Sequence, residues 1–419
     1  MRSIQTKKVK KINNETLIVT VDIGKVKNFG YCRCPNGIDI KPFGFHNNGH
    51  GLNSLWDKIT QMKKCNNLKE IVVGFESTGP YGEPLIHYLR KKKVKLIQVN
   101  PMHTKRVKEL QGNSPNKTDQ KDPKVIADII ELGHALTIVQ PEGSAAELRR
   151  LTHCRERAMQ RRTSLFNQLQ NLVFVIFPEF SQVMKNVKTK SSLYILEHCP
   201  TPQDIIKYKH KNLTVTLKKV SRGQINEDRA RELYTAAKTS VGIKEGRKSI
   251  LFEIQEILSM IKTTEHFIAD VETEMSHHLK DIPYSKCIIS MKGIGEITVA
   301  GLIGEVGDFR EYKTISEILK LGGLDLFEIS SGKHKGQRRI SKRGRSLMRK
   351  LLFFAAINVV RKGGIMHEYY QRCLERGMLK MKALIAVSRK LLGIMFALVR
   401  DHSEYIDGDI TKQEFKKAA

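Results

Sequence analysis

Two short apolar runs in the first third of the chain each end on an acid, and that pattern restricts the fold more than any other feature. Leu17-Ile18-Val19-Thr20-Val21 stops at Asp22, and Ile71-Val72-Val73-Gly74-Phe75 stops at Glu76. Apolar runs of this length read as buried strands. Two further acids lie three residues apart in Lys117-Thr118-Asp119-Gln120-Lys121-Asp122, ahead of the helical pattern Val125-Ile126-Ala127-Asp128-Ile129-Ile130. Residues three apart on a helix share a face, so Asp119 and Asp122 are expected to aim at one point.

Two strand-end acids facing a helical pair make a hard, oxygen-only pocket suited to Mg²⁺ or Mn²⁺. Two such ions can stabilise the attacking and leaving oxygens of phosphoryl transfer. Charge composition points to the same substrate class. With 73 Lys and Arg against 43 Asp and Glu the formal charge is +30, and phosphate is the natural counter-charge. A membrane surface is the competing anion, but no apolar stretch reaches the roughly 18 residues of a spanning helix. The basic start (Lys7, Lys8, Lys10, Lys11) leads into an apolar run broken by Asp22, so a signal peptide is not expected. Of the 7 cysteines only Cys32 and Cys34 are close, and a single C-x-C is a poor zinc site. Reduced thiols in a cytoplasmic protein are the expectation.

Residues 15–140 alternate strand-like and helix-like segments, which argues α/β. Strands are expected at 17–22, 28–33 and 37–45, a helix at 53–63, the Glu76 strand, a helix at 84–92 and a strand at 94–99. Three strands, helix, strand, helix, strand is the ribonuclease H order. From residue 145 the pattern turns helical. Segments 145–175 and 247–279 read as two long helices, an antiparallel pair or coiled-coil arm, flanking an insert at 200–242 that is rich in lysine and punctuated by Pro202 and Gly223. Beyond residue 282, Lys292-Gly293-Ile294-Gly295 before an apolar helix resembles half of a helix-hairpin-helix, whose glycines let amides approach a phosphate. Core helices are expected at 351–360 and 384–399, then a polar tail after Asp401. The boundaries expected are 1–142, 143–281, 282–400 and 401–419.

Between Lys333 and Lys350 there are nine Lys or Arg residues and no Asp or Glu. The stretch has glycines and serines but little apolar content, which suits a loop laid along a phosphate backbone. Lys333, Lys335, Arg338, Arg339, Lys342, Arg343 and Arg345 are the candidate contacts. A serine in such a loop is first a hydrogen-bond donor to phosphate, and becomes a nucleophile only beside an activating partner.

These blocks, in order, resemble the DEDD transposases of the IS110 family of insertion sequences. The matching pieces are Val21-Asp22-Ile23-Gly24-Lys25, Glu76-Ser77-Thr78-Gly79-Pro80-Tyr81, Val99-Asn100-Pro101, the 116–122 segment, Lys292-Gly293-Ile294-Gly295, Ser330-Ser331-Gly332, Ile340-Ser341-Lys342-Arg343-Gly344 and Leu347-Met348-Arg349. Pro123 and Met348 depart from the family's pattern. The resemblance implies a RuvC-like N-terminal domain of ribonuclease H type, a coiled-coil arm and a mainly helical C-terminal domain. It implies that Asp22, Glu76, Asp119 and Asp122 bind Mg²⁺ or Mn²⁺, and that Ser331 is the strand-transfer nucleophile, with Ser330 and Ser341 as fallbacks. DNA, a structured bridge RNA and further copies of the chain, as a dimer or tetramer, are the implied partners. The rival readings are a RuvC-type junction nuclease that uses water, and a nucleic-acid-binding protein with an inactive pocket.

Overall fold

A computed structural model describes residues 13–35, 37–76, 79–111, 122–133, 135–137, 141–328, 336 and 338–406. Two compact units are present: residues 1–142, 286–294 and 305–419 form one, and 143–285 with 295–304 form the other.

The first unit opens with β1 (Thr16–Asp22), β2 (Lys27–Arg33) and β3 (Phe43–His46), then α1 (Gly49–Cys65), β4 (Glu70–Glu76), α2 (Glu83–Lys91) and β5 (Lys95–Val99). This is the element order expected. The sheet runs β3-β2-β1-β4-β5, with β6 (Ala135–Thr137) added at the β5 edge. β1 is antiparallel to β2 and parallel to β4, and β4 is parallel to β5. The third strand is shorter than the expected 37–45. Pro42 has no N–H to give a ladder, so pairing with β2 begins at Phe43 and only the isolated Arg33–Asp39 bridge precedes it. Two helices follow β5 and were only partly foreseen: α3 (Pro101–Gln111), and α4 (Asp122–Glu131) on the helical pattern named above.

Alternation along the strands sorts the core into two layers. Leu17, Val19, Val21, Val73 and Phe75 face a cluster with Leu55, Ile59, Leu85 and Leu89, the buried sides of α1 and α2. Ile18, Val72, Ile97 and Val99 face α4 through Val125, Ile126, Ile129 and Ile130. Gly74 lets α4 settle close, since a Cβ there would lie 2.3 Å from the Ile130 side chain. Cys32 and Cys34 belong to the first layer. Burial pushes the Cys32 thiol up to about 12, so it is a small core hydrophobe.

The second unit is built on α5 (Gly143–Ile176) and α11 (Arg247–Lys280), 34 residues each. Arg155 pairs with Glu272 at 2.6 Å and Arg162 with Glu265 at 3.7 Å, while Ser144 bonds Asp281 at 3.0 Å. Partners that climb one helix as they descend the other fix the pair as antiparallel. The 200–242 insert is ordered helix. It contains α8 (Pro202–Tyr208), α9 (His210–Val220) and α10 (Glu227–Lys238), preceded by α6 (Phe180–Met184) and α7 (Lys190–His198). Lysine content hid this, because the apolar positions are few but well spaced: Ile205, Leu213, Leu217, Ala230 and Leu233 join Phe177 and Phe180 in one buried cluster. Thr201 and Asp204 close a capping box at the start of α8.

Past α12 (Ser285–Ile289) and α13 (Glu296–Val306) come α14 (Ile315–Gly322), a hairpin of β7 (Leu326–Phe327) and β8 (Arg339–Ile340), then α15 (Ser346–Val359), α16 (His367–Glu375) and α17 (Lys380–Arg400). The expected core helices are thus α15 and α17, whose Leu352, Ala356, Leu391 and Met395 are buried. Among the described residues no helix is long and apolar enough to cross a membrane.

Candidate functional site

Register brings Asp22 and Glu76 together. Val21 pairs with Phe75 in the parallel β1–β4 ladder, so the next residue of each strand is one of the two acids. Neighbouring strands lie about 4.8 Å apart, and residues in step on parallel strands present the same face. For Asp22 that is the face of Ile18 and Thr20, the α4 side.

The start of α4 is fixed against the same strand. Thr20 Oγ1 donates to the Pro123 carbonyl at 2.6 Å, inside the core. Asp122, the first residue of α4, is 9% exposed and therefore opens beside the β1 end. The other end of the helix is gripped by Arg33 of β2, which donates to Asp128 at 2.7 Å and Glu131 at 3.1 Å. Burial works against the Arg33 charge, but hydrogen bonds to Asp128 and Tyr31 outweigh it and hold the guanidinium above its ordinary range. Burial and the Asp39 carboxylate push the neighbouring Tyr31 phenol up to about 12. Both ends of α4 are thereby anchored, which gives Asp122 a rigid seat.

Asp119 and the i, i+3 pairing with Asp122 lie outside the described residues. Three acids remain, all oxygen donors. Lys108 of α3 sets its ammonium 2.5 Å from Asp122 Oδ1. A cation already resting on this carboxylate, in a donor set without nitrogen or sulfur, fits the chemistry of a hard divalent ion.

The loops that follow the two strands are tied to one another. Asn47 Nδ2 donates to Gly24 O at 3.2 Å and to Tyr81 O at 3.0 Å, one acceptor beyond each acid-bearing strand. Gly24 is obligatory in its turn, since a Cβ would meet Lys27 O at 2.3 Å. Thr20, Asn47 and Lys108 escaped the sequence reading. Thr20 alone left a trace there, as the one polar residue in a run that is otherwise apolar, because a buried hydroxyl demands a partner.

In the C-terminal part, Leu326 pairs with Ile340 and Phe327 with Arg339, so the basic stretch connects the strands of a hairpin. Ser330, Ser331, Lys333 and Lys335 lie outside the described residues. Ser341 is described, and its hydroxyl donates to Asp325 Oδ1 at 2.5 Å while its amide donates to Asp325 O at 2.9 Å. Lys342 N reaches Gly323 O and Arg345 N reaches Leu321 O, each at 2.9 Å, which continues the pairing past the strands. Gly323 and Gly344 allow it: a Cβ on Gly344 would lie 2.4 Å from both Gly323 N and Leu321 O. Arg339, Lys342 and Arg343 are partly or fully exposed. Arg338 pairs with Glu328 at 2.9 Å. Arg345 differs, since its guanidinium donates to the Glu305 carbonyl at the end of α13.

Two family models match in chain order. One, described as Transposase, covers residues 19–178, which hold the strand acids and α4. The other, described as Transposase IS116/IS110/IS902 family, covers 285–371, which hold the serine loop. This chain belongs to the IS110 family of insertion-sequence transposases. Relatives align along most of its length. The insertion element IS110 43.6 kDa protein of Streptomyces coelicolor is 21% identical over 388 residues, 92% of this chain and 94% of that one. The IS116 44.8 kDa protein of Streptomyces clavuligerus is 25% identical over 288 residues, 68% and 71% of the two chains. The IS900 42 kDa protein of Mycobacterium paratuberculosis is 23% identical over 292 residues, 69% and 73%. This IS110-family transposase is therefore an enzyme of DNA transposition, and Asp22, Glu76, Asp122 and the serine-containing segment all fall inside the matched regions.

Proposed function

We propose that this transposase cuts and rejoins DNA with a serine nucleophile at a divalent-metal centre, under the direction of a structured bridge RNA. Residues 1–142 act as a RuvC-like catalytic domain, 143–281 as an arm, and 282–400 as the domain that carries the serine. The observation that supports the reading is the placement of Asp22 and Glu76 at the ends of adjacent parallel strands, with Asp122 opening a helix hydrogen-bonded to the first of them. The strand order, with three antiparallel strands followed by parallel ones, supports the ribonuclease H reading of the sheet.

Asp22, Glu76, Asp119 and Asp122 would hold Mg²⁺ or Mn²⁺, which supplies charge stabilisation at the scissile phosphate and lowers the pKa of a bound hydroxyl. The chain's own part is positional. α4, anchored at both ends, keeps Asp122 from following the DNA, and Asn47 keeps the two loops beyond the acids in step. Ser331 Oγ attacks phosphorus, an Oγ–P bond forms, the P–O bond to one sugar breaks, and the serine proton ends on the released hydroxyl. One phosphodiester replaces another, so rejoining to a new strand needs no ATP. Arg338, Arg339, Lys342 and Arg343, with Lys333 and Lys335, bind the backbone. Arg345, next in the same stretch, ties the start of α15 to the end of α13 through the Glu305 carbonyl. The enzyme works as a homo-oligomer on DNA in the cytoplasm, at the nucleoid.

A nicked suicide substrate tests this. The trapped complex is digested and the adduct mapped by mass spectrometry. An adduct on Ser331 that Ser331→Ala abolishes is the expected result. One on Ser330 or Ser341 keeps the chemistry and moves the nucleophile. Strand cleavage without any adduct, equal in Ser331→Ala, overturns the serine and leaves a junction nuclease that uses water.

A further inference from the structure

The last turn of α11 holds a second set of ligating groups, chemically unlike the acids above. His277, His278 and Asp281 place one ring nitrogen, one ring nitrogen and one carboxylate oxygen within 4.8 Å of one another, and they are the one such group among the described residues. Helix geometry explains the convergence. Asp281 lies four residues past His277 and three past His278, so its carboxylate sits over the gap between the two rings. The rings meet edge to face, 5.7 Å between centroids.

His278 carries the argument. Its Nδ1 is shut off from solvent and has no hydrogen-bond partner, the nearest carboxylate oxygen being Asp281 Oδ2 at 3.9 Å. Its other nitrogen, Nε2, faces Glu274 Oε1 at 3.5 Å. A histidine that binds a metal through one nitrogen generally gives its remaining N–H to a carboxylate, which fixes the tautomer and strengthens the ligand. His278 has that arrangement already: an orphan nitrogen 3.9 Å from Asp281, and the Glu274 carboxylate at the other nitrogen of the ring. The carbonyls that end α11 add a negative field in which a cation is favoured.

We propose that His277, His278 and Asp281 bind one borderline-soft divalent ion, of the Zn²⁺ or Co²⁺ class, with Glu274 as the carboxylate that orients His278. Two imidazoles and one carboxylate suit such ions, whereas Mg²⁺ prefers oxygen alone. Ligands about 2.0–2.1 Å from a tetrahedral ion stand roughly 3.4 Å apart, so the three groups must draw in slightly. His277 and Asp281 lie at the surface, where that rotation is open to them. Asp281 also accepts from Ser144 at the start of α5, so the ion fastens the end at which the two long helices meet. The site is independent of the carboxylate centre and of the proposed serine chemistry.

The test uses the full-length protein stripped with EDTA and titrated with Co²⁺, read by equilibrium dialysis and visible absorption. One equivalent should remain bound in a hundredfold excess of Mg²⁺, which empties the carboxylate centre, and be displaced by Zn²⁺. His277→Ala, on an exposed position, should weaken it at least tenfold without altering the circular dichroism spectrum. Glu274→Gln, which leaves all three ligands in place, should weaken it about 10- to 100-fold. Asp22→Asn should retain the equivalent. Unchanged Co²⁺ affinity and spectrum in His277→Ala and in the His277→Ala/His278→Ala pair, or no bound equivalent in the parent, would overturn the proposal.

Discussion

Thr20 and Pro123 stand 103 residues apart in the chain and are joined by a buried 2.6 Å hydrogen bond. That bond sets where α4 begins relative to β1, and therefore where Asp122 stands relative to Asp22. Replacing Thr20 with valine keeps the volume but leaves the Pro123 carbonyl without its donor, at a cost of about 1–3 kcal/mol. Thr20→Val should lower the melting temperature and reduce strand cleavage by more than it reduces DNA binding. Thr20→Ser should restore most of both. Equal loss of binding and cleavage would deny the bond its positioning role.

Lys108 rests its ammonium on the carboxylate that the metal centre would need. In Lys108→Met the Asp122 carboxylate loses that competitor, so half-maximal cleavage should require several-fold less Mg²⁺. Asp122→Asn should abolish cleavage at any Mg²⁺ concentration while leaving DNA binding nearly intact, since the lost carboxylate repels phosphate. A Mg²⁺ titration on both variants decides it, and an active Asp122→Asn protein would remove this residue from the site.

Gly344 lies against the backbone of residues 321–323, with no room for a methyl group. Gly344→Ala forces those two segments apart, at a cost on the order of 1–3 kcal/mol. The expected result is a destabilised C-terminal part with loss of covalent adduct on the serine loop, read by thermal melting and by the suicide substrate. A stable, fully active variant would mean that the close approach is not maintained in solution.

Arg338 and Arg339 flank the loop at the β8 end, where Arg338 is largely exposed despite its contact with Glu328. Affinity for duplex DNA should fall steeply with salt, with a log–log slope of about −0.9 per phosphate neutralised. Arg338→Gln with Arg339→Gln should flatten that slope by about 1–2 and weaken all sequences alike. A change of target preference would instead indicate base contacts.

Glu179 accepts from Ser240 Oγ at 2.7 Å and from the Val241 amide at 3.1 Å. Burial raises its pKa, but these hydrogen bonds outweigh burial and hold the carboxyl below its usual range. A depressed folded value means that the contribution is complete above the unfolded value, about 4.3, and disappears as pH falls through the lower folded one. Glu179→Gln should therefore melt lower than the parent at pH 7, and the difference should shrink on acidification below pH ~4. A gap that widens in acid would contradict the sign.

The sheet was legible because burial and pattern agree in it: β1 and β4 are apolar runs that end on an acid, and both acids stand one step past the last residues paired between those two strands. Periodicity also exposed α5, α11 and α17. It failed where a small core is spread over short helices, as in α8–α10, whose few buried positions are separated by polar and charged residues. Contacts that depend on tertiary geometry left little or no mark. Nothing in the residues around Asn47 announces that it will bridge two loops, and nothing around Lys108 announces an acid fourteen positions on. The glycine of Ile340-Ser341-Lys342-Arg343-Gly344 reads as a flexible link in a basic stretch. It is a packing residue, and only the neighbouring backbone reveals that.

The antiparallel sense of α5 and α11 has a topological consequence. The chain enters this hairpin at Ser144 and leaves it at Asp281, and those residues are within hydrogen-bond distance of each other. Everything between them is a detour that starts and finishes at one place. Whole turns can be added to both helices or removed from both, about 5.4 Å of reach at a time, while the entry and exit points stay where they are. The arm's length is thus an adjustable parameter of the protein, open to evolution or engineering.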